Sequence, residues 1–180
     1  PKEKVMFTLG FFGEGDFFTM KGVVEEFLDR VGMRVKPAYN PEAGIPFLHP
    51  GRQAAVEYNG TAIGYLGEVH PDVADNYGIG EKAYIAVIDI PAVTGLASFD
   101  RKFTGIAKFP AVSRDISMLV PKNILVGAIE DIIEKRGGKL VENFSLFDIY
   151  EGSQIQEGFK SVAYTISFRA KDRTLEDKDI

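Results

Sequence analysis

Apolar residues recur along this chain with two periods, one near 3.6 and one of 2, and these divide it into helices and strands. Residues 5–12 form an apolar run closed by Gly13-Glu14-Gly15. Asp16 stands where it can cap a helix over residues 17–31, with Val23, Val24, Phe27, Leu28 and Val31 on one stripe and Gly32 as the stop. Residues 52–58 and 61–69 read as a β-hairpin turned at Asn59-Gly60, a pair that accepts the left-handed backbone of a two-residue turn. Residues 71–77 read as a short helix, 83–90 as a strand of β-formers, and 91–97 as a helical or irregular exit.

A polar, glycine-containing stretch at residues 98–108 (Ser98, Asp100, Arg101, Lys102, Thr104, Gly105) predicts a boundary between a domain at 1–98 and one at 99–180. Beyond it, residues 115–120 alternate, with Ile116, Met118 and Val120 facing one way and Ser117 and Leu119 the other. Pro121-Lys122-Asn123 breaks that strand. A helix follows over about 125–136, carrying Ile129, Ile132 and Ile133 and ended by Gly137-Gly138. Residues 141–150 form a strand with Phe147 and Ile149 on one face and Asp148 and Tyr150 on the other. Residues 160–169 alternate most cleanly, setting Val162, Tyr164, Ile166 and Phe168 against Ser161, Ala163, Thr165, Ser167 and Arg169.

Strand, helix, strand, strand, then a helix opening at Asp177-Lys178-Asp179-Ile180 is most of a ferredoxin-like βαββαβ unit. Helices cover one face of such a sheet, so the open face is expected to present Ser117, Leu119, Asp148, Tyr150, Ser161, Ala163 and Thr165. The predicted class is α+β. The absent last helix and strand, and a start at Pro1 without methionine, lead us to expect an excised piece of a longer protein.

Composition narrows the function classes. An apolar fraction of 45% and a charged fraction of 26% are those of a packed globular protein. No run nears the ~18 apolar residues of a spanning helix, and no signal segment opens the chain. With no cysteine, disulfides, thiolate metal sites and cysteine nucleophiles are excluded. These features suit a cytoplasmic protein. Residues 1–98 carry 8 Lys/Arg against 13 Asp/Glu, and residues 99–180 carry 13 of each. Neither half is the basic stripe that announces nucleic acid by charge alone. His49 and His70 are 21 residues apart, each before a proline, and read as turn residues rather than metal ligands. Gly10 to Gly15 lacks a following Lys-Ser/Thr and does not make a phosphate loop. No nucleophile–base pair is visible, so no catalytic residue is assigned.

Three segments of the second half carry a resemblance. They are Phe109-Pro110-Ala111-Val112-Ser113-Arg114-Asp115, Leu146-Phe147-Asp148-Ile149-Tyr150-Glu151-Gly152, and Glu157-Gly158-Phe159-Lys160-Ser161 running on to Arg173-Thr174-Leu175. In this order and spacing they resemble the anticodon-binding domain of bacterial phenylalanyl-tRNA synthetase beta subunits. In the first half, Gly15-Asp16-Phe17-Phe18 with Lys21-Gly22, Leu48-His49-Pro50-Gly51-Arg52 and Gly64-Tyr65-Leu66-Gly67-Glu68-Val69-His70-Pro71 are similar to the end of that subunit's core, a class II synthetase-like domain without catalytic residues.

The resemblance implies a part that holds tRNA(Phe) while an alpha subunit, in an alpha2-beta2 heterotetramer, binds phenylalanine and ATP with Mg2+ and performs the chemistry. It implies no cofactor, metal, membrane or DNA partner for this piece itself. It implies that Tyr150 stacks on the first anticodon base, that Asp148 accepts hydrogen bonds from it, and that Ser161 and Ser117 stand beside them. Unstacked loop bases are recognised in this way. On alternation alone the same face reads as an ordinary solvated surface. Arg114, Lys160, Arg169 and Arg173 are candidates for phosphate contacts, although surface salt bridges are the plainer role for at least half of them. The competing function is a ferredoxin-like module that binds an amino acid, but Pro121-Lys122-Asn123 stands where such a module has a glycine-rich loop.

Overall fold

The computed structural model describes residues 3–100, 103 and 105–180. Pro1, and Arg101, Lys102 and Thr104 of the predicted linker, lie outside the described residues. The chain divides into two compact units, Pro1–Lys102 and Phe103–Ile180.

The first unit contains β1 (Met6–Phe12), α1 (Phe17–Arg30), β2 (Ala38–Asn40), β3 (Leu48–Tyr58), β4 (Thr61–Val69), α2 (Pro71–Asn76), β5 (Ala83–Asp89) and α3 (Ile90–Leu96). Its strands form one antiparallel sheet in the order β1-β5-β4-β3-β2. The hairpin turns at Asn59 and Gly60, both at positive φ (48° and 76°), as the pair predicts. Asp16 caps α1 through the Thr19 amide at 2.8 Å, and Thr19 returns a bond to the Asp16 amide. The Thr19 amide, and then the Thr19 hydroxyl donating to Asp16 Oδ1 at 2.9 Å, hold the Asp16 carboxyl below the ordinary carboxylate range.

One face of α1 closes the core through Met20, Val24 and Leu28, one i, i+4 row. The Phe7 and Phe27 rings stack 4.7 Å apart between sheet and helix. Val23, expected on the buried stripe, is exposed, because the row centred on Val24 faces the sheet and Val23 is turned about 100° from it. Two elements differ from expectation. β3 begins at Leu48 rather than at 52, across a register break between Leu48 and Gln53 that hides its alternation. β2 has only three residues, too few for a period to register, and pairs with Ala55–Glu57 at the sheet edge.

The second unit contains β6 (Val112–Pro121), α4 (Val126–Gly137), β7 (Val141–Tyr150) and β8 (Phe159–Phe168), with 3-10 turns at Gly138–Leu140 and Asp177–Asp179. β8 lies between β6 and β7, antiparallel to both. A third strand inserted between the first two is the arrangement of a ferredoxin-like βαββ unit. Ile129 of α4 packs on Val162 and Tyr164, with Met118, Val120, Phe144, Leu146 and Ile166 around them. Ile132, another apolar residue of α4, is exposed. Ile116 and Ile149 pair with Tyr164 and Val162, so they point to the helix side, yet both remain exposed.

Strict alternation fails twice in β7, at Glu142 between Val141 and Asn143 and again at Phe147. Leu146 pairs with Tyr164 and Asp148 with Ala163, leaving Phe147 as the extra residue of a bulge. Phe147, expected on the face of Ile149, has no partner in the register. It is exposed. Among the described residues no helix is long and apolar enough to cross a membrane.

Candidate nucleic-acid interface

The uncovered face of the second sheet is built in rows across β6, β8 and β7. At one end Leu119, Ser161 and Tyr150 lie side by side, since Ser161 pairs with both others. The next row is Ser117, Ala163 and Asp148. Asp115, Thr165 and Ser145 follow, then Ser113, Ser167 and Asn143. Residues directly opposite on neighbouring strands project to the same side, about 5 Å apart. Ser117, Asp148, Tyr150 and Ser161 consequently occupy two adjacent rows of one face. The Ser117 and Ser161 hydroxyls are 3.1 Å apart.

The rows grade from apolar to polar. Leu119 and Tyr150 flank Ser161 with exposed apolar surface, Tyr150 being 43% exposed. Ala163 is buried and small, leaving a shallow floor between Ser117 and Asp148. Farther along, the Thr165 hydroxyl donates to Asp115 at 2.7 Å, and the Ser113 and Ser167 hydroxyls meet at 2.9 Å. Those groups satisfy one another. Among the described residues no side-chain hydrogen bond or ion pair engages Asp148, so its oxygens are open acceptors. Such a face can take a planar ring on Tyr150 and hydrogen-bond donors on Asp148.

The four candidate phosphate contacts fall elsewhere. Lys160 pairs with Val120 on the helix-covered side, and only 9% of it is exposed. Arg114 pairs with Ile166, on the same side, and is bonded to Asp177. Arg169 donates to Glu142 at 2.8 Å and to the Phe109 carbonyl. Arg173 donates to Asp179 at 3.0 Å. Three of the four thus already have a carboxylate partner within the unit.

Among the described residues of the first unit one charged side chain is buried. Glu68 is 4% exposed and accepts from Arg52 Nη1 at 2.9 and 3.0 Å and from the Tyr84 hydroxyl at 3.1 Å. Burial first, and then its bond to Glu68, push the Tyr84 phenol above its ordinary value. His49 Nδ1 accepts the Gly51 amide, and His70 Nδ1 accepts the Asp72 amide at the start of α2. Each ring closes a turn. Among the described residues no group of three His, Asp or Glu side chains is placed to hold a metal ion.

Residues 107–180 match the ferredoxin-fold anticodon binding domain family. Residues 1–90, half of the chain, match the phenylalanyl tRNA synthetase beta chain CLM domain. The chain belongs to the phenylalanyl-tRNA synthetase beta chain family. It is 43% identical over all its 180 residues to the phenylalanine--tRNA ligase beta subunit of Clostridium acetobutylicum, covering 23% of that protein. The corresponding subunit of Clostridium tetani is 42% identical over the same span, again 23% of its length. That of Bacillus subtilis is 34% identical over 165 residues, 92% of this chain and 20% of the relative. The chain therefore spans less than a quarter of the length of these curated relatives.

Sequence reasoning missed the bulge at Phe147, the Asp115–Thr165 and Ser113–Ser167 pairs, and the burial of Glu68. The pairs had a signal, since all four residues are polar and alternate in step with Ser117 and Ser161. Glu68 had none that periodicity could supply. Its partner Arg52 is reached only through the irregular start of β3.

Proposed function

We propose that the second unit reads the anticodon of tRNA(Phe) on its open sheet face, as part of the beta subunit of a phenylalanine–tRNA ligase. Tyr150 is the platform on which the first anticodon base stacks. Asp148 accepts hydrogen bonds from the N–H groups of that base, a guanine, while Ser161 and Ser117 line the adjoining row. The first domain, which we assign to residues 1–98 within that unit, is a non-catalytic synthetase-like domain that docks on an alpha subunit. That alpha subunit binds ATP and phenylalanine and carries out aminoacylation, in a cytoplasmic alpha2-beta2 assembly.

The observation that supports this reading best is the row geometry. Four side chains drawn from three strands meet in two adjacent rows, one ending in an exposed aromatic and the next in an open carboxylate. Aromatic stacking combined with edge hydrogen bonds is the means by which proteins read unpaired bases. The paired arginines and the absence of a basic stripe fit a face that reads bases rather than one that grips phosphates.

The test is tRNA(Phe) binding by the intact ligase carrying Tyr150→Ala. Stacking on one aromatic is worth roughly 1–3 kcal/mol, so affinity should fall about tenfold, with amino-acid activation unchanged. An affinity equal to that of the unsubstituted enzyme would remove Tyr150 from the reading.

A further inference from the structure

The Tyr150 ring has a fixed resting place, and the residue that provides it is two positions further along the chain. A β-carbon built on Gly152 would overlap the Tyr150 hydroxyl and Cζ outright and come within 2.7 Å of Cε1. The ring therefore lies with its tip over the Gly152 backbone, in the space that a side chain at 152 would fill. β7 ends at Tyr150 and the chain bends at Gly152, which brings the Gly152 backbone against the ring.

Two alternative reasons for a glycine at 152 are weak. Gly152 is not among the residues at positive φ, so its backbone is one that an L-residue adopts freely. The atoms nearest to the missing β-carbon all belong to Tyr150. What an added methyl group must displace is the aromatic ring.

We infer that Gly152 is a positioning residue for base stacking: by lacking a side chain it holds the Tyr150 ring along the strand at the edge of the open face. This rests on the reading of Tyr150 as the stacking platform. A ring pushed off Gly152 has to swing away about its side-chain bonds, which shifts its face relative to the row it shares with Ser161 and Leu119. The base would lose its stack although every group that touches it is still present. The site thus extends one step beyond the side chains of the sheet, to a residue whose contribution is empty space.

The inference is tested by a double-substitution cycle in the intact ligase, with Gly152→Ala, Tyr150→Ala and both together. The readouts are kcat and KM for a tRNA(Phe) transcript, KM for the same transcript with its first anticodon base changed to adenine, and tRNA-independent amino-acid activation. Gly152→Ala should raise KM for the natural transcript roughly tenfold, comparable to the loss of one stack, with kcat and activation unchanged. It should narrow the discrimination against the altered transcript, and it should add nothing to Tyr150→Ala, because without the ring there is nothing to displace. If Tyr150→Ala raises KM while Gly152→Ala does not, or if the two effects add in full, the inference fails and the stacking reading survives. If Tyr150→Ala itself leaves KM unchanged, the stacking reading fails and the inference with it.

Discussion

Tyr164 carries its hydroxyl into a core that offers it no partner. The residue is fully buried between Ile129, Val162 and Phe144, and among the described residues its hydroxyl has no hydrogen-bond partner. An unpaired buried hydroxyl costs roughly 1–3 kcal/mol, so Tyr164→Phe should leave stability unchanged or raise it by about 1 kcal/mol in denaturant titration. Burial, and then the nearby Glu130 carboxylate, push the Tyr164 phenol up to about 12. The folded state thus keeps the proton that the unfolded chain releases near pH 10. The stability linked to this group is complete below pH 10 and is lost as pH rises from 10 through 12. In the Phe variant that loss should be smaller; an identical alkaline profile would mean that Tyr164 does not contribute to it. The sequence told that Tyr164 faces inward, since it alternates with Val162 and Ile166. That its hydroxyl finds no partner depends on which helix residues come to lie above it, and no period encodes that.

At the scale of elements, β7 shows how far alternation reaches. Counting back from Tyr150 puts Asp148 on the open face, whereas counting forward from Phe144 and Leu146 puts it in the core. Both counts are right about their own end of the strand, and the bulge at Phe147 reconciles them. β8 has no such break between Ser161 and Ser167, and it was legible throughout. In the first unit, the hairpin at Asn59-Gly60 was legible for the same reason, while the irregular start of β3 concealed the approach of Arg52 to Glu68. Removing one partner of a buried ion pair leaves a charge uncompensated at a cost of roughly 3–5 kcal/mol. Because Arg52 is itself half-exposed, Arg52→Ala should cost about 3 kcal/mol, at the low end of that range. Arg52→Ala with Glu68→Gln should recover part of it. A loss below about 0.5 kcal/mol for the single variant, the size of an exposed pair, would show that the carboxylate is not held as a buried charge.

For the molecule as a whole, the charge distribution was legible and it set the expectation that phosphate gripping is modest. The net charge is −5, and Arg114, Arg169 and Arg173 are already engaged by Asp177, Glu142 and Asp179. Each phosphate contact to single-stranded nucleic acid contributes about 0.7 to the slope of log affinity against log salt. Replacing Arg114 or Arg173 with glutamine should therefore change that slope for tRNA(Phe) by less than about 0.7 each; a change of that size or more would mean that the residue leaves its carboxylate for the phosphate. Anticodon reading depends most on the open carboxylate of Asp148 that ends the second row of the face. Its direct test is the ratio of kcat/KM for tRNA(Phe) transcripts with guanine and with adenine at the first anticodon position, measured for the intact ligase with and without Asp148→Ala. Paired hydrogen bonds to a base edge discriminate by roughly 1–3 kcal/mol, so the substitution should shrink that ratio about tenfold or more through loss of the guanine transcript. A ratio unchanged by Asp148→Ala would contradict the assignment of this face as the anticodon reader.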